Sequence, residues 1–384
     1  KAPPRGGEHW LTRFVVLRLL GLVYFFAFLS LANQVLPLIG SRGLLPAGRY
    51  LEAVREQAGG SAWAELPSLL WLSHSDATLQ TLAWVGVGLS VPLLAGFANA
   101  LLLAALWVLY LSFVHVGQVW YGYGWEIQLL ETGFLAIFLC PLLDPRPFPR
   151  RPPPFAVLLC LRWLIVRIML GAGLIKIRGD PCWRDLTRLL SHYETQPIPN
   201  PLSRVLHFLP PWLHRVECLW NHLVELVAPW FAFGPFAARR NAAFLFLAFQ
   251  ILLILSDNLS FLNHLTIVTA PACLDDGVWR RLLPRRLVAA ADRARPSRAQ
   301  GVVAVLLAVL VGVLSYWPVR NLLSSRQAMN TSFNQLHLVN TYGAFGSVGR
   351  ERDEIVLEGT EEESIGPDTR WRSYEFKAKP TDPD

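Results

Sequence analysis

Hydrophobic residues occur in long runs along most of the chain, and these runs predict membrane-spanning helices. A bilayer core of roughly 30 Å requires about 20 predominantly apolar residues in a helix. Nine segments approach that length: 14–35, 79–95, 99–119, 126–143, 155–177, 212–233, 242–256, 258–273 and 301–319. The seventh and eighth are short and are joined through Ser256, Asp257 and Asn258, so a re-entrant hairpin is an alternative for that pair. The pattern predicts an all-α polytopic membrane bundle with about nine spans.

Arginines between the spans predict the orientation of the bundle. They follow the fourth, sixth and eighth spans: Arg146, Arg150, Arg151, Arg239, Arg240, Arg280, Arg281, Arg285, Arg286, Arg293, Arg295 and Arg298. Each group lies an even number of crossings from a basic N-terminus with Lys1, Arg5 and Arg13. Because cytoplasmic loops carry the excess of Lys and Arg, we expect a cytoplasmic N-terminus. The opposite side then carries the loop 36–78, the YGYGW turn, an outer loop 179–211 and the C-terminal tail.

Composition supports an integral membrane protein and argues against other classes. The 384 residues are 53% hydrophobic, with a mean hydropathy of +0.35 and a formal net charge of +7. Since the positive charge lies between apolar runs, it indicates membrane topology and no nucleic-acid partner. The five cysteines show no CxxC spacing, so the sequence predicts neither a disulfide framework nor a zinc site. Only Cys182 is expected to face water.

The composition changes after Arg320, where apolar runs shorten and charge increases. The segments 354–359 (EIVLEG) and 373–377 (SYEFK) alternate as strands do. We therefore divide the chain into a transmembrane domain at 1–320 and a partial β-rich extracytoplasmic domain at 321–384.

Two predicted spans carry polar residues that need partners, because a buried charge is costly when it is unpaired. Span four contains Glu126, Gln128 and Glu131. A carboxylate there is expected to pair with Arg162 or Arg167 of the next span, or else to transfer protons in a cavity.

Span six carries a polar stripe with spacings of three, four and four residues: His214, Glu217, Asn221 and Glu225. Such a stripe faces other helices. It favours an interhelical hydrogen-bond network over a metal site, since one helix supplies no complete first shell. We predict no metal and no cofactor.

The segment from Trp163 to Gln196 combines an apolar helix with a dense polar cluster. Lys176 follows Gly171 and Gly173, small residues that allow another helix to approach. The lysine either extends to the interface or acts as a base in a low-dielectric pocket. Asp180 is a plausible N-cap with Pro181 at the first helical position. The remaining candidates in this cluster are Arg178, Cys182, Trp183, His192, Tyr193, Glu194 and Gln196.

Three segments resemble the lipase maturation factor family: 120–139 (WYGYGWEIQLLETGFLAIFL), 162–203, and HLVNTYGAFG at 337–346 with EIVLEG. The first contains Trp125, Glu126, Gln128 and Glu131, and the second contains the Lys176 cluster. The resemblance implies a multi-pass protein of the endoplasmic reticulum membrane that helps secreted lipases such as lipoprotein lipase to fold and assemble into active dimers. It also implies a lumenal C-terminal region that continues past residue 384, and a maturation factor more than an enzyme.

A more distant similarity is to the membrane domain of vitamin K-dependent gamma-carboxylases. It implies an alternative, an integral-membrane enzyme acting on a lipid or quinone with Lys176 as base. In that case Lys176, Glu126, Glu131 and His192 converge on an outer-leaflet cavity. Arginine richness and short loops are typical of a prokaryotic relative, which would place the protein in the bacterial cytoplasmic membrane instead. The sequence leaves the client and the oligomeric state open.

Overall fold

The computed structural model describes residues 9–142, 144, 146, 148–196, 198–346, 353 and 355–375. Within these residues the chain is mostly helical, and its α-helices are α1 (Trp10–Ile39), α2 (Ala47–Ala58), α3 (Ala62–Glu65), α4 (Asp76–Ala95), α5 (Ala100–Val116), α6 (Gly124–Ile137), α7 (Phe155–Gly179), α8 (Pro181–Arg184), α9 (Leu189–His192), α10 (Ser203–His207), α11 (Pro211–His222), α12 (Phe236–Ser256), α13 (Leu262–Thr269), α14 (Asp276–Leu282), α15 (Arg285–Asp292), α16 (Arg298–Leu314) and α17 (Tyr316–Leu323). Short 3₁₀ segments cover Gly59–Ser61, Leu69–Trp71, Gln118–Tyr121, Ala228–Phe233 and Ala270–Cys273, and a π-helical segment covers Leu223–Val227.

Four helices in the described part of the chain are long and apolar enough to cross a membrane, namely α1, α4, α7 and α12. The pair α16 and α17, bent by 40°, makes a fifth span if it is counted as one. The helical character of the predicted spans is confirmed, whereas the number nine stays a prediction.

Two of the predicted spans are interrupted. The segment 212–233 is helical to His222 and then becomes π-helical and 3₁₀, and 258–273 is α13 followed by a 3₁₀ turn. Pro229 and Pro271 stand in the first turn of the two 3₁₀ segments. Proline has no amide hydrogen to donate to an α-helical ladder, so both spans break there.

The basic connections meet at one end of the bundle, around the start of α1. The indole of Trp10 donates to the carbonyl oxygen of Pro149 at 2.9 Å, and Arg13 donates to that of Arg151 at 2.7 Å. The amides of Leu11 and Thr12 donate to the carboxylate of Asp276 at 3.1 and 3.0 Å. These are orphan donors of a helix N-terminus, and a residue of α14 satisfies them.

Helix α7 lies centrally and packs against α6, α13, α16 and the segment that follows α11. Residues 338–346, named the strap here, lie along its C-terminal half. A Cβ atom at Gly171 would overlap the carbonyl oxygen of Tyr342, and one at Gly179 would overlap that of Gly346. The expectation that Gly171 faces another helix is therefore wrong, because it accommodates the strap. Gly173 does face a helical segment, through Glu225 and Leu226.

The tail contains one small sheet in its described part. Strand β1 (Leu357–Gly359) pairs antiparallel with β2 (Arg372–Tyr374), with Leu357 opposite Tyr374. Within the two patterns, 357–359 and 373–374 form strands and Ile355, Val356 and Glu375 do not, while Glu354, Phe376 and Lys377 lie outside the described residues. The division of the chain at residue 320 stays a prediction.

The close approach of the strap to α7 predicts that Gly171→Ala destabilises the protein. The new methyl group overlaps Tyr342, and overpacking of this kind costs about 1–3 kcal/mol. The matched control is Gly312→Ala in α16, where nothing lies within 4 Å and the change favours the helix by roughly 0.5–1 kcal/mol. Thermal unfolding in detergent should separate the two variants, and equal unfolding temperatures would contradict the packing of the strap.

Candidate functional site

Lys176 in the last turn of α7 forms a buried ion pair. Its Nζ donates to Oε1 and Oε2 of Glu225 at 2.6 and 2.7 Å and to Oδ1 of Asn221 at 2.8 Å. The lysine is 3% exposed and the glutamate is also 3% exposed. The expectation that Lys176 extends to the interface is wrong, because the polar stripe of the next long helical segment supplies its acceptors.

Two aromatic rings lie over the ammonium group of this ion pair. The ammonium lies 5.0 Å from the ring centre of Trp183 and 5.9 Å from that of Phe345 in the strap. The indole of Trp183 donates to the carbonyl oxygen of Phe345 at 3.0 Å. The outer loop and the strap therefore meet directly above Lys176.

The turn after α7 folds as the sequence predicts. The carboxylate of Asp180 accepts from the amide of Cys182 at 2.9 Å, and Pro181 stands in the first turn of α8. The expectation that Cys182 faces water is wrong. Its side chain packs with Trp183, Leu189 and Cys218 and is 5% exposed, because α8 folds back onto α11.

A second buried group connects the outer loop to the end of α12. His192 Nε2 lies 3.1 Å from Oδ1 of Asp257, and Gln196 donates to the same oxygen at 2.5 Å. Gln196 also donates to the carbonyl oxygen of Ser256 at 3.1 Å. The sequence interpretation treated Asp257 only as part of a connection. The sequence feature that could have identified Asp257 is its position as a carboxylate directly after the long apolar segment of α12.

The N-terminal half of the polar stripe on α11 also binds the outer loop 179–211. Glu217 accepts from His214 Nδ1 at 3.1 Å and from the hydroxyl of Tyr193 at 3.3 Å. Burial, together with the charge of Glu217, raises the pKa of Tyr193 above its ordinary value. The predicted hydrogen-bond network is thus present.

Two further candidates of the cluster lie nearer the surface. Glu194, whose side chain is 55% exposed, lies 3.7 Å from His207. Arg178 donates to the carbonyl oxygens of Leu322 and Ser324 at 2.7 and 3.0 Å. Glu194 therefore contacts α10, and Arg178 contacts the end of α17.

Glu131 of α6 anchors the strap. It forms an ion pair with Arg167 of α7, and both side chains are at most 1% exposed. Glu131 also accepts from the backbone amide of Asn340 at 3.0 Å and from the hydroxyl of Tyr342 at 2.8 Å. Of the two arginines proposed as its partner, Arg167 is the one that pairs, while Arg162 donates to the carbonyl oxygen of Ala272 at 2.7 Å.

The remaining candidates of α6 have separate partners. Glu126 accepts a hydrogen bond from the hydroxyl of Tyr110, and Gln128 donates to Thr266 at 3.0 Å. The ring of Trp125 stacks on that of Tyr123 with their centres 4.5 Å apart.

A cavity of about 290 Å³ adjoins the Lys176 ion pair. Its polar lining includes Lys176, Asn221, Glu225, His192, Asp257 and Gln128, and its apolar lining includes leucines of α12. Glu126 and Glu131 are not part of the lining, because Tyr110 and Arg167 hold them elsewhere. Of the four groups expected to converge on one cavity, Lys176 and His192 line it and Glu126 and Glu131 do not; a catalytic role stays a prediction. Among the described residues, no three His, Cys, Asp or Glu side chains are grouped to hold a metal ion.

An apolar helical bundle with a β-containing tail and buried ion pairs defines a membrane-protein class, and comparison with known proteins identifies the family. Residues 11–281 match the lipase maturation factor transmembrane domain, and residues 338–384 match the lipase maturation factor C-terminal domain. The chain belongs to the lipase maturation factor family.

Similar proteins of this family come from several vertebrates. The chain is 53% identical over 406 residues to Lipase maturation factor 1 of Bos taurus, with 99% of this chain and 72% of the relative covered. It is 49% identical over 402 residues to Lipase maturation factor 1 of Homo sapiens, covering 98% and 71%. It is 37% identical over 286 residues to Lipase maturation factor 2 of Xenopus laevis, covering 70% and 40%. No solved structure matches the chain.

The burial of Lys176 predicts opposite results for single and double replacement. Lys176→Met leaves the Glu225 carboxylate unpaired in apolar surroundings and should cost about 3–5 kcal/mol. Combining it with Glu225→Gln removes the orphaned charge and keeps an amide beside Asn221, so most of the stability should return. Thermal unfolding of both variants in detergent measures this, and a double variant no more stable than the single one would contradict a structural ion pair.

Proposed function

We propose that this protein assists the folding and assembly of secreted lipases as an integral protein of the endoplasmic reticulum membrane. Family membership supports this role, and the names of its relatives specify lipase maturation. The observation that carries the proposal is the strap. The C-terminal family unit starts at residue 338, and Glu131 binds Asn340 and Tyr342 inside the transmembrane unit. The two family units thus form a connected surface that a lipase could contact.

The proposed arrangement in the membrane has nine crossings and a cytoplasmic N-terminus. It divides the chain into a transmembrane domain at 1–320 and a lumenal β-rich domain that starts at 321. The meeting of Trp10, Pro149 and Asp276 at one end of the bundle supports this arrangement, because basic connections gather there. The outer loop 179–211 and the strap contact each other away from that end, through Trp183 and Phe345.

Labelling of single cysteines tests the orientation. All five native cysteines are buried, so an impermeant maleimide should react mainly with introduced ones. In sealed microsomes, Arg285→Cys in α15 should be labelled directly, whereas Arg184→Cys in the outer loop should be labelled only after permeabilisation. Both side chains are exposed. The opposite labelling pattern, or the same pattern for both positions, would refute the proposed sidedness.

We propose that the family-motif residues position this lumenal surface. Trp183 ties the outer loop to the strap, and Glu131 ties the strap to α6 and α7. Arg178 holds the end of α17 through the carbonyl oxygen of Leu322. These contacts explain why polar groups gather at the outer end of α7 without requiring that they act on a substrate.

Release of the strap should abolish lipase maturation. Asn340→Asp places a carboxylate within about 3 Å of Glu131 Oε2, where Asn340 Nδ2 now donates at 3.1 Å, and two such charges repel in an apolar site. The full chain is expressed in cells that lack their own maturation factor, together with lipoprotein lipase. Secreted lipase activity per amount of lipase protein should be restored by the parent chain and reduced at least about tenfold by Asn340→Asp, equivalent to about 1.4 kcal/mol or more.

Asn334→Asp is the matched control for this experiment. Asn334 Oδ1 only accepts, from the amides of Leu336 and Leu338 at 3.1 and 3.2 Å, and an aspartate retains both bonds. It should therefore keep full maturation. No restoration by the correctly inserted parent chain would refute the proposed function, and equal restoration by both variants would refute the role of the strap.

A second candidate function is the lipid- or quinone-dependent enzyme with Lys176 as base. The observation that favours it is that Lys176 and His192 line one cavity. The variant with both Lys176→Met and Glu225→Gln separates the two functions once its folding is verified. Retained lipase maturation supports the structural role of the lysine, and loss of maturation in a folded protein supports the enzyme.

A further inference from the structure

The cavity beside Lys176 has the shape and polarity of a site for an amphipathic molecule. Its volume of about 290 Å³ is close to the lower end of ordinary ligand pockets, roughly 300–1,000 Å³. Its lining combines polar groups of α7, α11 and the outer loop with leucines of α12. Among these, Leu252 is 51% exposed and Leu255 is 49% exposed. Since α12 is a candidate membrane span, these two leucines adjoin the region where acyl chains would lie.

The cation in the described lining of the cavity is already paired with a carboxylate. Lys176 is the single lysine or arginine among the described residues of the lining, and all three of its donor interactions go to Glu225 and Asn221. The carboxylate of Asp257 accepts a hydrogen bond from Gln196 and contacts His192 Nε2. No uncompensated cation in this lining would attract a phosphate or a fatty-acid carboxylate, so the site favours a neutral headgroup.

Three buried polar atoms of lining residues have no hydrogen-bond partner within the described protein: Gln128 Oε1, His192 Nδ1 and Trp220 Nε1. Gln128 is fully buried and His192 is 5% exposed. Buried polar groups are normally satisfied, and the cost of leaving them bare indicates a missing partner. Gln128 Oε1 only accepts a hydrogen bond and the indole nitrogen of Trp220 only donates one, whereas a ring nitrogen such as His192 Nδ1 takes either role according to the tautomer.

This combination of acceptors and a donor selects among possible headgroups. A hydroxyl group has one donor and two acceptor sites, so a headgroup with two hydroxyls supplies a donor for Gln128 Oε1, an acceptor for Trp220 Nε1 and either role for His192 Nδ1. A quinone carbonyl or a carboxylate only accepts, and would leave Gln128 Oε1 without a donor. We propose that the cavity binds the headgroup of a neutral, hydroxyl-bearing lipid of the monoacylglycerol class, with its acyl chain leaving past Leu252 and Leu255. This site is independent of the proposed role in lipase maturation.

Binding to the purified full chain in detergent tests the headgroup chemistry. The probes are 1-monooleoylglycerol, oleate and methyl oleate, which share one acyl chain and differ in hydroxyl groups and charge. Saturable binding is followed by native mass spectrometry and by the rise in unfolding temperature. We expect 1-monooleoylglycerol to bind at least about tenfold more tightly than the other two. Equal binding of methyl oleate, or no saturable binding of 1-monooleoylglycerol, would overturn the proposal.

Two pairs of variants locate the site. Trp220→Phe removes one donor with little change in shape and should weaken binding about fivefold, whereas Trp212→Phe, at an exposed position outside the lining, should not. Leu255→Trp should obstruct the acyl chain and abolish binding, whereas Leu306→Trp on the exposed face of α16 should leave it unchanged. Binding is compared only for variants whose unfolding temperature lies within a few degrees of that of the parent. Binding that survives both Trp220→Phe and Leu255→Trp unchanged would place the lipid elsewhere and refute the site.

Discussion

The need to pair charges inside an apolar bundle determines how this protein is assembled. Taking a charged group out of water costs several kcal/mol unless a partner of opposite charge is held in good geometry. Arg167 and Lys176 both lie on α7, and their partners come from two other segments: Glu131 from α6 and Glu225 from the π-helical segment. Because each ion pair is formed across different elements, α7 fixes the positions of both neighbours at once.

The same pairs explain how the strap and the loop after α7 are held against the bundle. Glu131 has acceptor capacity left after it binds Arg167, and the strap uses it through Asn340 and Tyr342. The ammonium of Lys176 remains covered by Trp183 and Phe345. Glycine at 171 and 179 lets the strap backbone lie directly on the helix. The strap is thereby bound through polar contacts as well as through the packing of Leu338, Val339 and Tyr342 in the core.

Local features of the fold could be predicted from the sequence, whereas long-range choices could not. The span 155–177 agrees closely with α7 because its length is set by hydrophobicity and its ends by Pro154 and Asp180, which are local signals. Arg162 and Arg167 lie on one helix, and the sequence could not decide which of them faces Glu131. The strap carries no helical or strand period, so nothing in its pattern indicated that it would enter the bundle. The π-helical turn that brings Glu225 to Lys176 has no sequence signal comparable to a cap.

The state of Lys176 bears on whether the cavity binds or reacts. A lysine acts as a base only through a lone pair, and here all its donor interactions are directed to Glu225 and Asn221. The unsatisfied atoms of the lining, in contrast, belong to Gln128, His192 and Trp220. The groups free to interact are therefore hydrogen-bonding groups, and this distribution favours recognition of a neutral molecule over proton abstraction by the lysine.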